Sequence, residues 1–125
     1  MKQKNNMYNE LGIEKFSYLQ NTYERRGVTY TVTSLIEASK GLDVFDVPIK
    51  SIDIGVCPWG EVDIKSSAYH FIRTNEASLD YPIILDDTGY ICDGWHRVVK
   101  AIIEGRKTIK AVRLTVMPEG VNNAQ

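Results

Sequence analysis

Apolar side chains recur along this chain in two rhythms, one helical and one alternating. Phe16, Leu19 and Tyr23 fall at i, i+3 and i+7 within Leu11–Arg26. That is one helical face, with Glu24, Arg25 and Arg26 on the solvent side and Gly27 as a stop. Val28 to Val32 is β-branched and aromatic and predicts a short strand. Ser34 with Glu37 fits a capping box for a short helix ending at Gly41. Val44–Ile49 and Ser51–Ile54 predict strands, Pro48 marking an edge or a break, and Gly55–Gly60 predicts a loop. Ser67–Thr74 predicts a helix with Ala68, Phe71 and Ile72 inward. Pro82–Leu85, the turn Asp86–Gly89 and Tyr90–Cys92 predict a β-hairpin, because Gly89 can take the positive φ such turns need. Trp95–Glu104 predicts a helix burying Val98, Val99, Ile102 and Ile103, stopped by Gly105. Thr108–Val116 predicts a last strand with Val112, Leu114 and Val116 on one face, and Pro118 onward a tail.

Helices and strands intermingle around a central hairpin, so the fold class expected is α+β rather than a regular βαβ series. With 125 residues, 43% of them hydrophobic and 25% charged, the chain can bury a core without staples. No apolar run reaches the roughly 18 residues of a membrane span, and Met1–Asn6 leads into no apolar stretch, so neither a membrane partner nor a secretory signal is expected. Two cysteines, Cys57 and Cys92, imply no disulfide framework, and a reducing, cytoplasmic setting is expected.

The net charge of −1 argues against a protein that mainly coats nucleic acid, yet it hides a division. Residues 1–92 hold 9 Lys and Arg against 13 Asp and Glu; residues 93–125 hold 6 against 3. The basic end suits an anion, small or polymeric.

Phosphate loops of the P-loop and dinucleotide-binding types are absent, as are zinc-protease, serine-hydrolase and paired-cysteine motifs. One segment stands out, Ile91-Cys92-Asp93-Gly94-Trp95-His96-Arg97, which reads as strand, glycine turn and helix start. A helix N-terminus carries unsatisfied N–H groups and partial positive charge, so cations there are unfavourable by a few tenths to about 1 kcal/mol. His96 and Arg97 nevertheless fall in that first turn. A bound anion reverses the sign: backbone N–H groups, the Arg97 fork and the His96 ring then converge on a phosphate, with Gly94 letting the backbone approach closely. The plain alternative pairs Arg97 with Asp93, four residues earlier, and leaves His96 in solvent.

Tyr81–Leu85, Gly89-Tyr90-Ile91, Asp93–Arg97 and the helix to Gly105 resemble the ParB/sulfiredoxin superfamily, and Val47–Ile52 is similar to that family's opening strand and turn. The resemblance covers Val47–Val116. It leaves 1–46 as an N-terminal helical and strand extension and 117–125 as a tail. It implies a small mixed sheet flanked by helices, with a nucleotide-phosphate site at the turn. Sulfiredoxins have a cysteine and ParB-type domains a glutamate where this chain has Trp95, so sulfinate repair is not expected. The nearest wording is that of free-serine kinases of the fold, Asp-Gly-x-His-Arg, matched by Asp93, Gly94, His96 and Arg97. Carried over, Gly94, His96 and Arg97 contact phosphate, and Asp93 and His96 are the catalytic candidates. Asp93 is also the candidate Mg²⁺ ligand, a carboxylate being a hard oxygen donor. Trp95 either stacks on a base or sugar or packs the loop.

The function expected is therefore a nucleotide-binding protein, with ATP or another nucleotide and Mg²⁺, acting by phosphoryl transfer or nucleotide hydrolysis if it is an enzyme. Two alternatives stand beside it: a ParB-like nuclease or DNA-binding module, and a phage or plasmid accessory protein acting through protein contacts. His70 and Arg73, three apart on a helix, face either the same cleft or solvent, and Trp59 is a lid or an exposed contact. Asp86 and Asp87, followed by Thr88-Gly89, read as turn residues rather than paired acid and base. Cys57 has nothing basic beside it in sequence to lower its pKa.

Overall fold

Strand β1 (Thr22–Arg25) and strand β2 (Val28–Thr31) are the first strands among the described residues; the computed structural model describes residues 7–13 and 21–123. The two pair antiparallel around a two-residue turn in which Arg26 (φ 53°) and Gly27 (φ 76°) both lie in the left-handed region. That is the turn whose twist suits a hairpin. It overturns the helix expected over the end of Leu11–Arg26: from Thr22 the period is two, with Tyr23 and Arg25 turned inward and Thr22 and Glu24 outward. Tyr23 faces Tyr30 across the hairpin, ring centroids 6.3 Å apart, and both pack against the core. Phe16 and Leu19, which carried the helical spacing, lie outside the described residues.

Helix α1 (Val32–Ser39) follows directly, capped by the Thr31 hydroxyl accepting from the Ser34 amide at 3.2 Å rather than by the box expected from Ser34. Glu37 instead pairs with Lys40 at 2.8 Å. Strand β3 (Phe45–Pro48) ends at its proline, and a 3₁₀ turn (Ile49–Ser51) replaces the first part of the strand expected at Ser51–Ile54. Ile54 there is exposed. Helix α2 (Ile64–Glu76) starts earlier than expected because the Asp63 carboxylate caps it, accepting from the Ser66 amide at 2.7 Å. Its Phe71 points outward, 64% exposed, contrary to the expected inward face.

Strands β4 (Ile83–Leu85) and β5 (Ile91–Asp93) form the expected hairpin, with an irregularity between Ile84 and Leu85. Helix α3 (Trp95–Ile103) then crosses to strand β6 (Thr108–Arg113), which lies parallel to β4. Val98 and Ala101 are buried on α3, but Ile102 and Ile103 are exposed; His96 takes part of the inward face they were expected to fill. Val116 is exposed beyond the end of β6. The expected tail contains strand β7 (Val121–Asn122), which adds to β2 with Thr29 opposite Val121. Gly120 permits the approach, since a Cβ there would come within 2.6 Å of Val28 Cγ1 and 2.9 Å of the Thr29 carbonyl oxygen.

The result is a mixed α+β architecture with a three-stranded sheet β1-β2-β7 and a four-stranded sheet β3-β6-β4-β5. Tyr30 and Leu35 share one core cluster with Ile84, Cys92, Val112 and Leu114, so the segment before residue 47 is built into the same interior. A second cluster, around Ile83, Leu85, Val98, Ala101, Ile109 and Ala111, lies under α3. Among the described residues no helix is long and apolar enough to cross a membrane.

Candidate functional site

Gly94 decides the shape of the site. It joins β5 to α3 with φ 113°, a left-handed conformation that disfavours a side chain. Ile83 lies directly against it: a Cβ on Gly94 would stand 2.6 Å from Ile83 Cγ2 and 3.2 Å from its Cα. We expect Gly94→Ala to cost about 2 kcal/mol from the φ strain and overpacking together, read as a lower urea midpoint with an unchanged slope. No side chain caps α3, and the Gly94 carbonyl accepts from Val98 as the first helical bond. The amides of Trp95, His96 and Arg97 are therefore first-turn N–H groups without a side-chain cap.

This turn forms one wall of a cleft of about 470 Å³, contributing Asp93, Gly94, Trp95, His96 and Arg97. The facing wall is α2, contributing Tyr69, His70, Arg73 and Glu76, and Trp59 enters from the loop before it. Lys100 of α3 ties the walls together by donating to the Asn75 and Ala77 carbonyls at the end of α2, at 3.1 and 2.5 Å. A cation at a helix C-terminus is also favoured electrostatically.

Arg97 is held within the wall. Its Nη2 donates to Asp93 Oδ2 at 2.9 Å and its Nη1 to the Pro82 carbonyl at 2.6 Å, with both side chains of the ion pair largely buried. The pairing of Arg97 with Asp93 and the opening of Arg97 onto the cleft thus coexist. Asp93 fixes the guanidinium, and the remaining guanidinium N–H groups have no hydrogen-bond partner among the described residues.

His96 is not in solvent: it is 9% exposed, and its Nε2 lies 2.8 Å from His70 Nδ1. Burial first, then the nearby Arg73, His70 and Arg97, pull its pKa down to about 3. It therefore offers the cleft a neutral ring rather than a cation. Burial and Arg73 also lower the pKa of His70. The Trp59 indole lies over both imidazoles, its ring centroid 4.1 Å from His70 and 4.5 Å from His96, and Tyr69 meets His70 edge-on at 5.1 Å. Trp95 is half-buried and packs against the cluster under α3, while still lining the cleft.

The structure thus brings all eight sequence candidates to one cleft: Trp59, His70, Arg73, Asp93, Gly94, Trp95, His96 and Arg97. Sequence reasoning missed Tyr69 and the histidine pair, although the pair had one signal: His70 and His96 are the two histidines of the chain. Among the described residues no group of three or more His, Cys, Asp or Glu side chains is arranged to hold a metal. Cys92 is buried, donates to the Ile84 carbonyl, and has its thiol pushed up to about 12 by burial, then by Asp93 and Asp86. It is no nucleophile at neutral pH. Asp86 and Asp87 are structural: Asp86 accepts from Thr88 and Tyr90, and Arg25 bridges both carboxylates. In the basic end, Arg106 pairs with Glu104 and Arg113 donates to the Asp87 carbonyl. Comparison of the chain with protein-family models, with curated proteins and with solved structures gave no match in any of the three.

Proposed function

We propose that the protein binds a nucleotide through its phosphates at the Asp93–Arg97 turn and acts on it by phosphoryl transfer or hydrolysis, on a scaffold of the ParB/sulfiredoxin kind. One observation carries the reading: the uncapped start of α3, behind Gly94, opens on the same cleft as the Arg97 and Arg73 side chains. Backbone N–H groups, helix polarity and guanidinium groups are the usual partners of phosphate oxygens. Phosphoryl transfer asks a protein mainly for positioning and charge stabilisation.

In this reading the first-turn amides and Arg97 hold the phosphate chain, and Asp93 keeps Arg97 aimed. His96 supplies a neutral hydrogen-bonding ring rather than charge. Asp93 is the one acid at the turn, and its Oδ2 already serves Arg97. That is a poor cage for Mg²⁺, which takes one or two carboxylates and completes its shell with phosphate and water. A metal would enter with the nucleotide, held chiefly by phosphate oxygens and water.

The test is melting of the purified chain with ATP, ADP, CTP and GTP, each with and without Mg²⁺. A nucleotide at 100 times its Kd adds about 2.7 kcal/mol of stability, a shift that Arg97→Ala and Arg73→Ala should each diminish. No shift with any of the four sinks the reading. A salt-dependent response to duplex DNA in its place would favour a DNA-binding module.

A further inference from the structure

The two histidines of the chain meet across the cleft from different helices, His70 from α2 and His96 from α3. Each ring uses one nitrogen on the other, at 2.8 Å. The remaining nitrogen of His70, Nε2, has no hydrogen-bond partner among the described residues. Among the described residues no buried side-chain nitrogen or oxygen lacks a partner, so Nε2 is open to solvent rather than sealed in the protein. The pair is held in place by Trp59 flat over both rings and by Tyr69 against the edge of His70. Asp93, the acid a sequence reading would choose as base, is tied to Arg97.

We propose that His70 is the general base of this cleft, taking the proton of the attacking water on Nε2, and that His96 positions it by accepting the His70 Nδ1–H. The proposal rests on the nucleotide reading above and goes beyond it by naming the group that activates the acceptor.

In the productive tautomer His70 carries its proton on Nδ1 and donates it to His96 Nε2, while His96 carries its own on Nδ1. The acceptor O–H bond breaks as its proton passes to His70 Nε2. The oxygen pair forms the new bond to the terminal phosphorus of a nucleoside triphosphate. The bond from that phosphorus to the bridging oxygen breaks, and its electrons leave with the diphosphate, whose charge meets the first-turn amides and Arg97. The His70 imidazolium then releases its proton to water.

Of the two rings His70 is the one that takes the proton. His96 is the more deeply buried, and burial together with Arg73 and Arg97 keeps it neutral. The charged and titratable groups around the pair are Lys65, Tyr69, Arg73 and Glu76 from α2, Arg97 from α3, Cys92 and Asp93 from β5, and Tyr81 before β4.

The experiment measures phosphate release from ATP, GTP and CTP against pH for the wild type, His70→Gln and His96→Gln, with nucleotide-induced melting shifts on the same samples. His70→Gln should keep the melting shift, lose 10²- to 10⁴-fold in turnover, and lose the acidic limb of the pH profile. His96→Gln should keep both the shift and an acidic limb, moved along the pH axis. Imidazole ¹⁵N spectra of the wild type, with two rings to assign, should show His70 protonating at higher pH than His96.

A retained shift with turnover in His70→Gln within about threefold of wild type overturns the base assignment and leaves nucleotide binding standing. So does a wild type that binds nucleotide and releases no phosphate, or a reversed order of protonation in the spectra. Absence of any nucleotide shift in the wild type overturns the binding reading itself. If His70→Gln does not fold, the order of protonation in the wild type decides.

Discussion

Asp86→Ala will lower the unfolding free energy by about 4 kcal/mol, a large share of what a domain of this size has. The carboxylate is fully buried, yet it is the hub of the β4–β5 hairpin. Its Oδ1 accepts from the Thr88 amide at 2.9 Å, the Thr88 hydroxyl at 2.7 Å and the Tyr90 amide at 2.9 Å. Its Oδ2 accepts from the Tyr23 hydroxyl at 3.0 Å and Arg25 at 3.2 Å. Burial by itself would raise the pKa of this carboxyl, but the hydrogen bonds from Thr88, Tyr90 and Tyr23 outweigh it and hold the group below its ordinary value. Truncation leaves a phenol, a hydroxyl and two turn amides with no acceptor in a place water reaches poorly, and leaves Arg25 with Asp87 alone. It also loosens the β1–β2 hairpin from the β4–β5 turn, because Tyr23 loses its acceptor there and Arg25 keeps only Asp87. Urea unfolding read by circular dichroism measures the loss; a change under about 1 kcal/mol would show that the hub is dispensable.

The second large effect comes from acid. On going from neutral pH to about pH 4 the native state should lose on the order of 3 kcal/mol through His96 alone. His96 is held near a pKa of about 3 in the folded chain, against an ordinary 6.5. Above 6.5 neither state binds the proton and the group is silent. Below it the unfolded chain takes up a proton that the folded chain refuses, so stability falls with pH until the folded pKa is reached. His70, lowered in the same direction, adds to the slope. Asp86 acts in a lower window, its contribution disappearing only as pH drops through its depressed folded value. His96→Gln keeps a hydrogen-bonding side chain without the titration, and should flatten the loss between pH 6.5 and about 4. A wild-type curve that is already flat there would show that the ring is hydrated and titrates normally.

What was legible in the sequence was local. The hairpin around Asp86–Gly89 and the strand, glycine turn and helix at Asp93–Arg97 depend on residues a few positions apart, and the turn chemistry of Gly89 and Gly94 announces them. The α+β character followed from the mix of periods. What escaped was set by distant partners. Thr22–Arg25 became a strand because the Arg26-Gly27 turn folds it onto Val28–Thr31, with its side chains reaching Asp86 more than sixty positions on. The last strand was invisible because its partner, Val28–Thr29, sits near the other end of the chain. The eight residues of the cleft were each visible as candidates, but the hydrogen bond between its two histidines joins residues 26 positions apart on two helices. Helix α3 misled in the same way: reading Ile102 and Ile103 as inward assumed that the apolar side chains mark the buried face, whereas a histidine occupies part of it.

The bond from Lys100 to the far end of α2 has a mechanical consequence. With the carbonyls of Asn75 and Ala77 latched to α3, the two helical jaws of the cleft are fastened at one end and cannot swing apart freely. The exposed stretch that carries Trp59 stands outside that latch, and its indole meets the jaws by stacking on the two histidines.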